Sequence, residues 1–258
     1  MTIKFGPAGL GPVKDAVQRL EEYHKLGLRA CEIAFTYSIY IKPGEAPAIR
    51  EKAKELGIKL SIHAPYFVNL NSDEREKIEA SKKRILDCCE IGELLGAEIV
   101  VFHAGFYGKE PREKAYEVIK KGVMEVMDAI KKKKWKIKIA PEVMGKINVF
   151  GSPQEIRKLV DDTGCAFCID FAHLLARNKG IVDYGQIIEM FPEKNWHVHF
   201  SGIVYGDKGE KHHRNTEKEE WKVLLEKLPR DKEITIINEA PTPVEDSVEG
   251  LKIYEKMS

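Results

Sequence analysis

The sequence has almost no net charge: 42 Lys and Arg stand against 41 Asp and Glu, leaving +1 with histidine neutral. A bulk electrostatic pull toward nucleic acid or an anionic membrane is thereby excluded, and any such partner must be held by a local patch. Long apolar runs are missing too. No stretch approaches 18 consecutive apolar residues, and the opening MTIKFGPAGLG has no charged region followed by an apolar one, so neither a membrane partner nor a secretion leader is expected. Cysteine is limited to five residues, an odd number that suits a reducing compartment better than a disulfide framework. A cytoplasmic protein is the expectation. Linkers and low-complexity segments are absent, and no GxGxxG opens the chain, which argues against a doubly wound dinucleotide-binding sheet.

What is present is a composition of 43% hydrophobic and 32% charged residues, that of a folded chain with a heavily charged surface. Short β-branched or apolar runs alternate with longer amphipathic ones. Strands are expected at 2–7 (TIKFGP), 30–35 (ACEIAF), 59–64 (KLSIHA), 98–104 (EIVVFHA), 136–143 (KIKIAPEV), 166–172 (AFCIDFA), 196–201 (WHVHFS) and 233–240 (EITIINEA). Between them, stretches such as VKDAVQRLEEYHKLG and EKAYEVIKKGVMEVMDAIKKKK repeat apolar residues every three or four positions, as outer helices do. Ser72 and Ser152 supply helix starts, Gly27, Gly57 and Gly96 supply stops, and the run KKKKW (131–135) reads as a solvated helix C-terminus. Eight βα units without an internal boundary predict an α/β fold, a single (β/α)8 TIM barrel occupying residues 1–258.

The eight histidines are not scattered. His63, His103 and His199 close apolar strand runs, His173 lies just past another, and Glu142, Asp170 and Glu239 end three more. In a barrel all these ends meet at the C-terminal face, where active sites of this architecture sit. Any one such residue alone is most simply a hydrogen-bonded structural group. Six successive strands delivering His, Asp or Glu to one rim is different, because carboxylates so gathered repel unless cations neutralise them. Oxygen and nitrogen donors without convergent thiols suit catalytic Zn, Mn or Fe. Closely spaced ions of this kind favour phosphodiester hydrolysis, with sugar isomerisation as the rival chemistry. His197 shares a strand face with His199 and is expected to support the site without binding metal, and Cys88 and Cys89 fall mid-helix as packing residues. In CAFCIDFAH (165–173) the thiols of Cys165 and Cys168 are three apart on a strand and point to opposite faces, so core positions are expected for both.

The segments HAPYFVNL (63–70), VVFHAG (100–105), PEVMGK (141–146) and CIDFAH (168–173) resemble, in order and placement, motifs of the endonuclease IV family of apurinic/apyrimidinic DNA repair endonucleases, zinc-dependent barrels related to xylose isomerases. The resemblance implies a trinuclear zinc site, with manganese as an alternative ion. His63 and His103 would hold the first ion, Glu142 would bridge it to a second held by Asp170, His199 and Glu239, and His173 with the loop GEKHH would hold the third. An ungapped match to the family's Asp-Arg-His-His gives Glu210 and His212 in that loop, while the adjacent His213 leaves the register open by one residue. It further implies cleavage 5′ to an abasic site leaving a 3′-hydroxyl, with Glu142 and Glu239 catalytic, Tyr66 and Phe67 entering the duplex, damaged double-stranded DNA as partner and a monomer as the working unit. The loop FTYSIYIKPGE (35–45) lacks the family's DNA-penetrating Arg and Gln, and HVHFSG (197–202) departs from the expected Asn-Asp after the histidine. A metal-dependent sugar isomerase or epimerase, and a DNA-binding barrel without turnover, are the competing expectations.

Overall fold

The computed structural model describes residues 2–257, so that Met1 and Ser258 of the expected 1–258 unit lie outside the described residues. Eight parallel strands form the barrel: β1 (Thr2–Pro7), β2 (Ala30–Ala34), β3 (Lys59–His63), β4 (Ile99–Phe102), β5 (Lys138–Pro141), β6 (Cys168–Asp170), β7 (Asn195–Phe200) and, after an antiparallel hairpin of β8 (Gly202–Gly206) and β9 (Gly209–Arg214), β10 (Glu233–Asn238). They pair as two four-stranded sheets, β2-β3-β4-β5 and β1-β10-β7-β6. Bridges Ala8↔Glu32 and Glu142↔Cys168 join the two sheets and close the ring.

Around the ring run α1 (Ala16–Lys25), α2 (Ala46–Leu56), α3 (Arg75–Leu95), α4 (Arg112–Lys132), α5 (Pro153–Thr163), α6 (Phe171–Arg177), α7 (Tyr184–Met190), α8 (Lys218–Lys227) and α9 (Pro243–Met257). Strands buried on both faces, as in β4, need apolar residues at successive positions and not in alternation. Their outer faces pack on the helices in the main core, where Trp221 is fully buried against Phe5 and Phe200. Their inner faces form a smaller cluster of Ile99, Val101, Ala140 and Cys168. Cys165 belongs to the outer core and Cys168 to the inner one, although Cys165 precedes the strand and does not lie on it.

The expected elements and the observed ones differ where a side chain takes over from the backbone. Ser152 caps α5 through a capping box with Glu155, and Gly57 and Gly96 close α2 and α3 in the left-handed conformation. Ser72 does not cap α3. Its hydroxyl accepts from the Glu74 amide, and the helix begins only at Arg75. The expected strand 166–172 shrinks to three residues because the Asp170 carboxylate accepts the His173 amide at 2.8 Å, capping α6 directly after the strand. The stretch expected as a loop at GEKHH is part of strand β9.

Candidate metal centre

Parallel pairing aligns the strand ends, and the registers Ala34↔His63, Asp170↔His199 and His199↔Ile237 put the polar residues at one level of the barrel. Glu142 stands at the middle. Its Oε2 lies 3.2 Å from Nε2 of His63 and 3.1 Å from Nε2 of His103, while its Oε1 lies 3.3 Å from Nδ1 of His199. His63, His103 and Glu142 thus form one group with donor atoms close enough to share an ion, and Glu142, Asp170, His199 and Glu239 form a second. A third comprises His173, Glu210 and His213, with Nε2 of His173 3.4 Å from Oε2 of Glu210.

The third group depends on an irregular hairpin. The pairing of β8 with β9 runs Val204↔His212 and then Tyr205↔Glu210, leaving Lys211 as an extra residue. Such a bulge resets the alternation of side chains, so that Glu210 and His213, three apart, reach the same site. His212 is exposed on β9 and joins none of the groups, unlike the ungapped expectation. Glycine permits the approach. A Cβ on Gly145 would stand 2.8 Å from Cβ of Glu210 and 2.9 Å from Cδ2 of His173, and one on Gly209 would stand 2.1 Å from the Gly145 carbonyl oxygen.

Backbone and hydroxyl groups fix the rings. Nδ1 of His63 lies 2.8 Å from the Ala64 carbonyl and Nδ1 of His173 lies 3.0 Å from that of Val143, so both rings donate there and turn Nε2 to the rim. Ser201 Oγ holds Nδ1 of His213 at 2.6 Å. Burial opposes charge on Glu142, yet the surrounding imidazoles, His199 first, hold its carboxyl well below the usual range. For His63 burial pulls downward, but the Glu142 carboxylate outweighs it and the ring rises to about 9. Burial pushes Asp170 up to about 6, against the attraction of His173. Oδ2 of Asp170 is buried without a hydrogen-bond partner. An orphaned carboxylate oxygen beside Glu142 and Glu239, with imidazole nitrogens facing inward, fits divalent cations of the zinc and manganese type.

Above the groups is a cavity of about 310 Å³ lined by Tyr66, His103, Phe106, His173, Glu210, His213 and Glu239. Tyr66, which lines it, and the adjacent Phe67 are exposed, and Tyr37 from the β2 loop packs 6.2 Å from the Phe67 ring. Sequence reasoning misses one buried acid at the site. Glu32 on β2 takes Nε2 of His197 at 3.0 Å and the Ser61 hydroxyl at 2.9 Å. Its signal in ACEIA is a lone carboxylate inside an apolar strand. His197 is buried beneath the site, as expected of a supporting group, and among the described residues it approaches a candidate ion only through a further cluster with Cys168 and His199.

The sequence model for xylose isomerase-like TIM barrels matches residues 20–257. An uncharacterised protein of Methanocaldococcus jannaschii is 32% identical over 98% of this chain and 97% of its own. An apurinic-apyrimidinic endonuclease of Caenorhabditis elegans is 29% identical over 66% of this chain, a match that spans only 46% of that longer protein. Among solved structures, endonuclease IV from Thermus thermophilus superposes with a TM-score of 0.70 at 23% identity over 99% of this chain and 98% of its own. A D-psicose 3-epimerase from Clostridium cellulolyticum H10 superposes with a TM-score of 0.69 at 16% identity, covering 99% of each chain. Likeness at these identities establishes the barrel and leaves the reaction to the site. On the strength of a match spanning nearly all its residues, the chain belongs to the xylose isomerase-like TIM barrel family, with endonuclease IV proteins among its relatives.

Proposed function

We propose that this protein is a metal-dependent endonuclease that hydrolyses the DNA phosphodiester 5′ to an abasic site and leaves a 3′-hydroxyl. The observation that carries the proposal is Glu142, one carboxylate facing two cation groups, with the third group a single residue further, through His173. His63, His103 and Glu142 would hold one ion, Glu142, Asp170, His199 and Glu239 a second, and His173, Glu210 and His213 a third. Bound together, such ions polarise phosphate oxygens, make water nucleophilic near neutral pH and offset charge on the leaving oxygen.

The chain's own groups do the rest. Glu239 lines the cavity and is partly open to it, so a carboxylate oxygen can take a proton from water as that water adds to phosphorus. The P–O3′ bond breaks, and the proton balance closes when the 3′ oxygen is protonated. The buried hydrogen bonds at His63 and His173 would keep their Nε2 atoms turned to the ion positions. Tyr66 and Phe67 suit insertion between bases at a lesion, where an abasic nucleotide unstacks at low cost, and Tyr37 broadens the same aromatic edge. The proposal takes residues 1–258 as one barrel working as a monomer in the cytoplasm on damaged double-stranded DNA. No described helix is long and apolar enough to cross a membrane.

A duplex carrying one abasic analogue, incubated with the zinc- or manganese-loaded protein, is expected to be nicked on the 5′ side and to yield a 3′ end that a polymerase extends. Binding without nicking would leave a DNA-binding barrel, and epimerisation of a ketose with the DNA left intact would replace the proposal by the sugar chemistry.

A further inference from the structure

Directly beneath the rim, on its barrel-interior side, lies a carboxylate that none of the metal groups includes. Glu32 points inward from β2 and is fully buried, with no solvent to stabilise its charge. Ser61 on β3, paired with Glu32 in register, donates its hydroxyl at 2.9 Å. His197 on β7 brings Nε2 to Oε2 at 3.0 Å. The other oxygen, Oε1, stands 3.0 Å from Nε2 of His199, a close approach between two buried atoms that make no hydrogen bond. The opposite nitrogen of the same ring, Nδ1, faces Glu142 at 3.3 Å and Glu239 at 3.5 Å.

We propose that Glu32 is a positioning residue for the metal ligand His199, accepting the Nε2 proton so that the Nδ1 lone pair is aimed at the ion shared with Glu142 and Glu239. The inference rests on reading the rim as a metal centre. Its physical basis is general: an imidazole that binds a metal through one nitrogen is held in tautomer and orientation by an acceptor on the other, and a carboxylate makes the ring a stronger donor to the metal. Ser61 and His197 fix the carboxylate in turn, so its aim does not depend on solvent or on a mobile loop. Without Glu32, the buried Nε2 proton would face no acceptor, and the ring would be free to rotate or to bind through the wrong nitrogen.

The atoms have a rival use. Cys168, His197 and His199 also bring ligand atoms close together, and an ion there would compete with Glu32 for the orientation of the His199 ring.

The test uses the whole chain and needs no DNA. Zinc affinity is measured by competition with a chromophoric chelator, and the visible spectrum is recorded after cobalt substitution. Glu32→Gln keeps the shape of the side chain and removes its charge. One ion is expected to bind about ten- to a hundredfold more weakly, the others as in the unmodified chain, with an altered cobalt spectrum and an unchanged fold of the metal-free protein. If Glu32→Gln does not fold, Ser61→Ala, which removes one anchor of the carboxylate, takes its place, and weakening of that same ion supports the proposal. Unchanged affinity and spectrum in whichever variant folds would overturn it. A thiolate-to-cobalt charge-transfer band that vanishes in Cys168→Ser would also overturn it, in favour of the rival ion. A wild-type chain that binds no metal would sink the metal-centre reading itself, which a failed Glu32 prediction would leave standing.

Discussion

Glu142→Gln is expected to empty two metal positions at once and to lower nicking of abasic DNA at least about a thousandfold, because several kcal/mol of charge stabilisation leaves with the ions. The size of the effect follows from geometry. Glu142 presents Oε2 to His63 and His103 and Oε1 to His199, so no other side chain of the three rim groups serves two of them. The amide cannot bridge cations with a nitrogen that has no lone pair to give. Metal-free stability should respond as well. His63, raised to about 9 by the Glu142 carboxylate, stabilises the folded state fully below the 6.5 of an ordinary imidazole and loses that contribution as pH rises through 9. Glu142, held below its ordinary 4.5, contributes in full above that value and loses the contribution progressively as pH falls below it. The variant's loss of melting temperature in chelator should therefore be greatest between about pH 5 and 6.5 and should shrink toward pH 9. An equal loss at every pH would mean that packing, not the ion pairs, is what the substitution removes.

Glu239→Gln should behave differently. Removing a proton acceptor that acts in the transition state costs roughly a hundred- to ten-thousandfold in turnover, while duplex affinity stays near that of the unmodified chain. Glu239 closes β10, lines the cavity and has its Oε1 3.5 Å from His199, farther than Glu142 lies from any of its histidines. It is also more exposed than the other acids of the second group, as a residue that meets water must be. Single-turnover nicking, with metal content measured alongside, separates the possibilities: a fall in the chemical step with binding and metal content intact fits a base, a fall that tracks a lost ion fits a ligand, and intact turnover would indicate a barrel whose Glu239 has no catalytic part.

The barrel was legible because parallel strands buried on both faces write uninterrupted apolar runs, and the gaps between those runs have helical periodicity. The rim was legible for a related reason. His63, His103, Glu142, Asp170, His199 and Glu239 stand where apolar runs end, and parallel pairing turns that one-dimensional regularity into a shared level. His213 was undecidable against His212 because the choice is made by the bulge at Lys211, a pairing irregularity that a local pattern of two adjacent histidines does not encode. The short β6 escaped the pattern since Phe171 and Ala172 look as strand-like as their neighbours, while the Asp170 cap that ends the strand acts through a single hydrogen bond. Glu32 was hidden by context. Its partners Ser61, His197 and His199 come from β3 and β7, and only closure of the ring brings β7 to β2.

The number of zinc ions held by the purified chain is the most direct test of the rim. Native mass spectrometry after zinc saturation and removal of weakly bound metal is expected to show three ions per chain, one for each of the groups built on His63, His199 and His173. A chain that retains a single ion, with His173→Ala and Glu210→Ala unchanged in metal content, would contradict the three-group centre and the phosphodiester chemistry drawn from it.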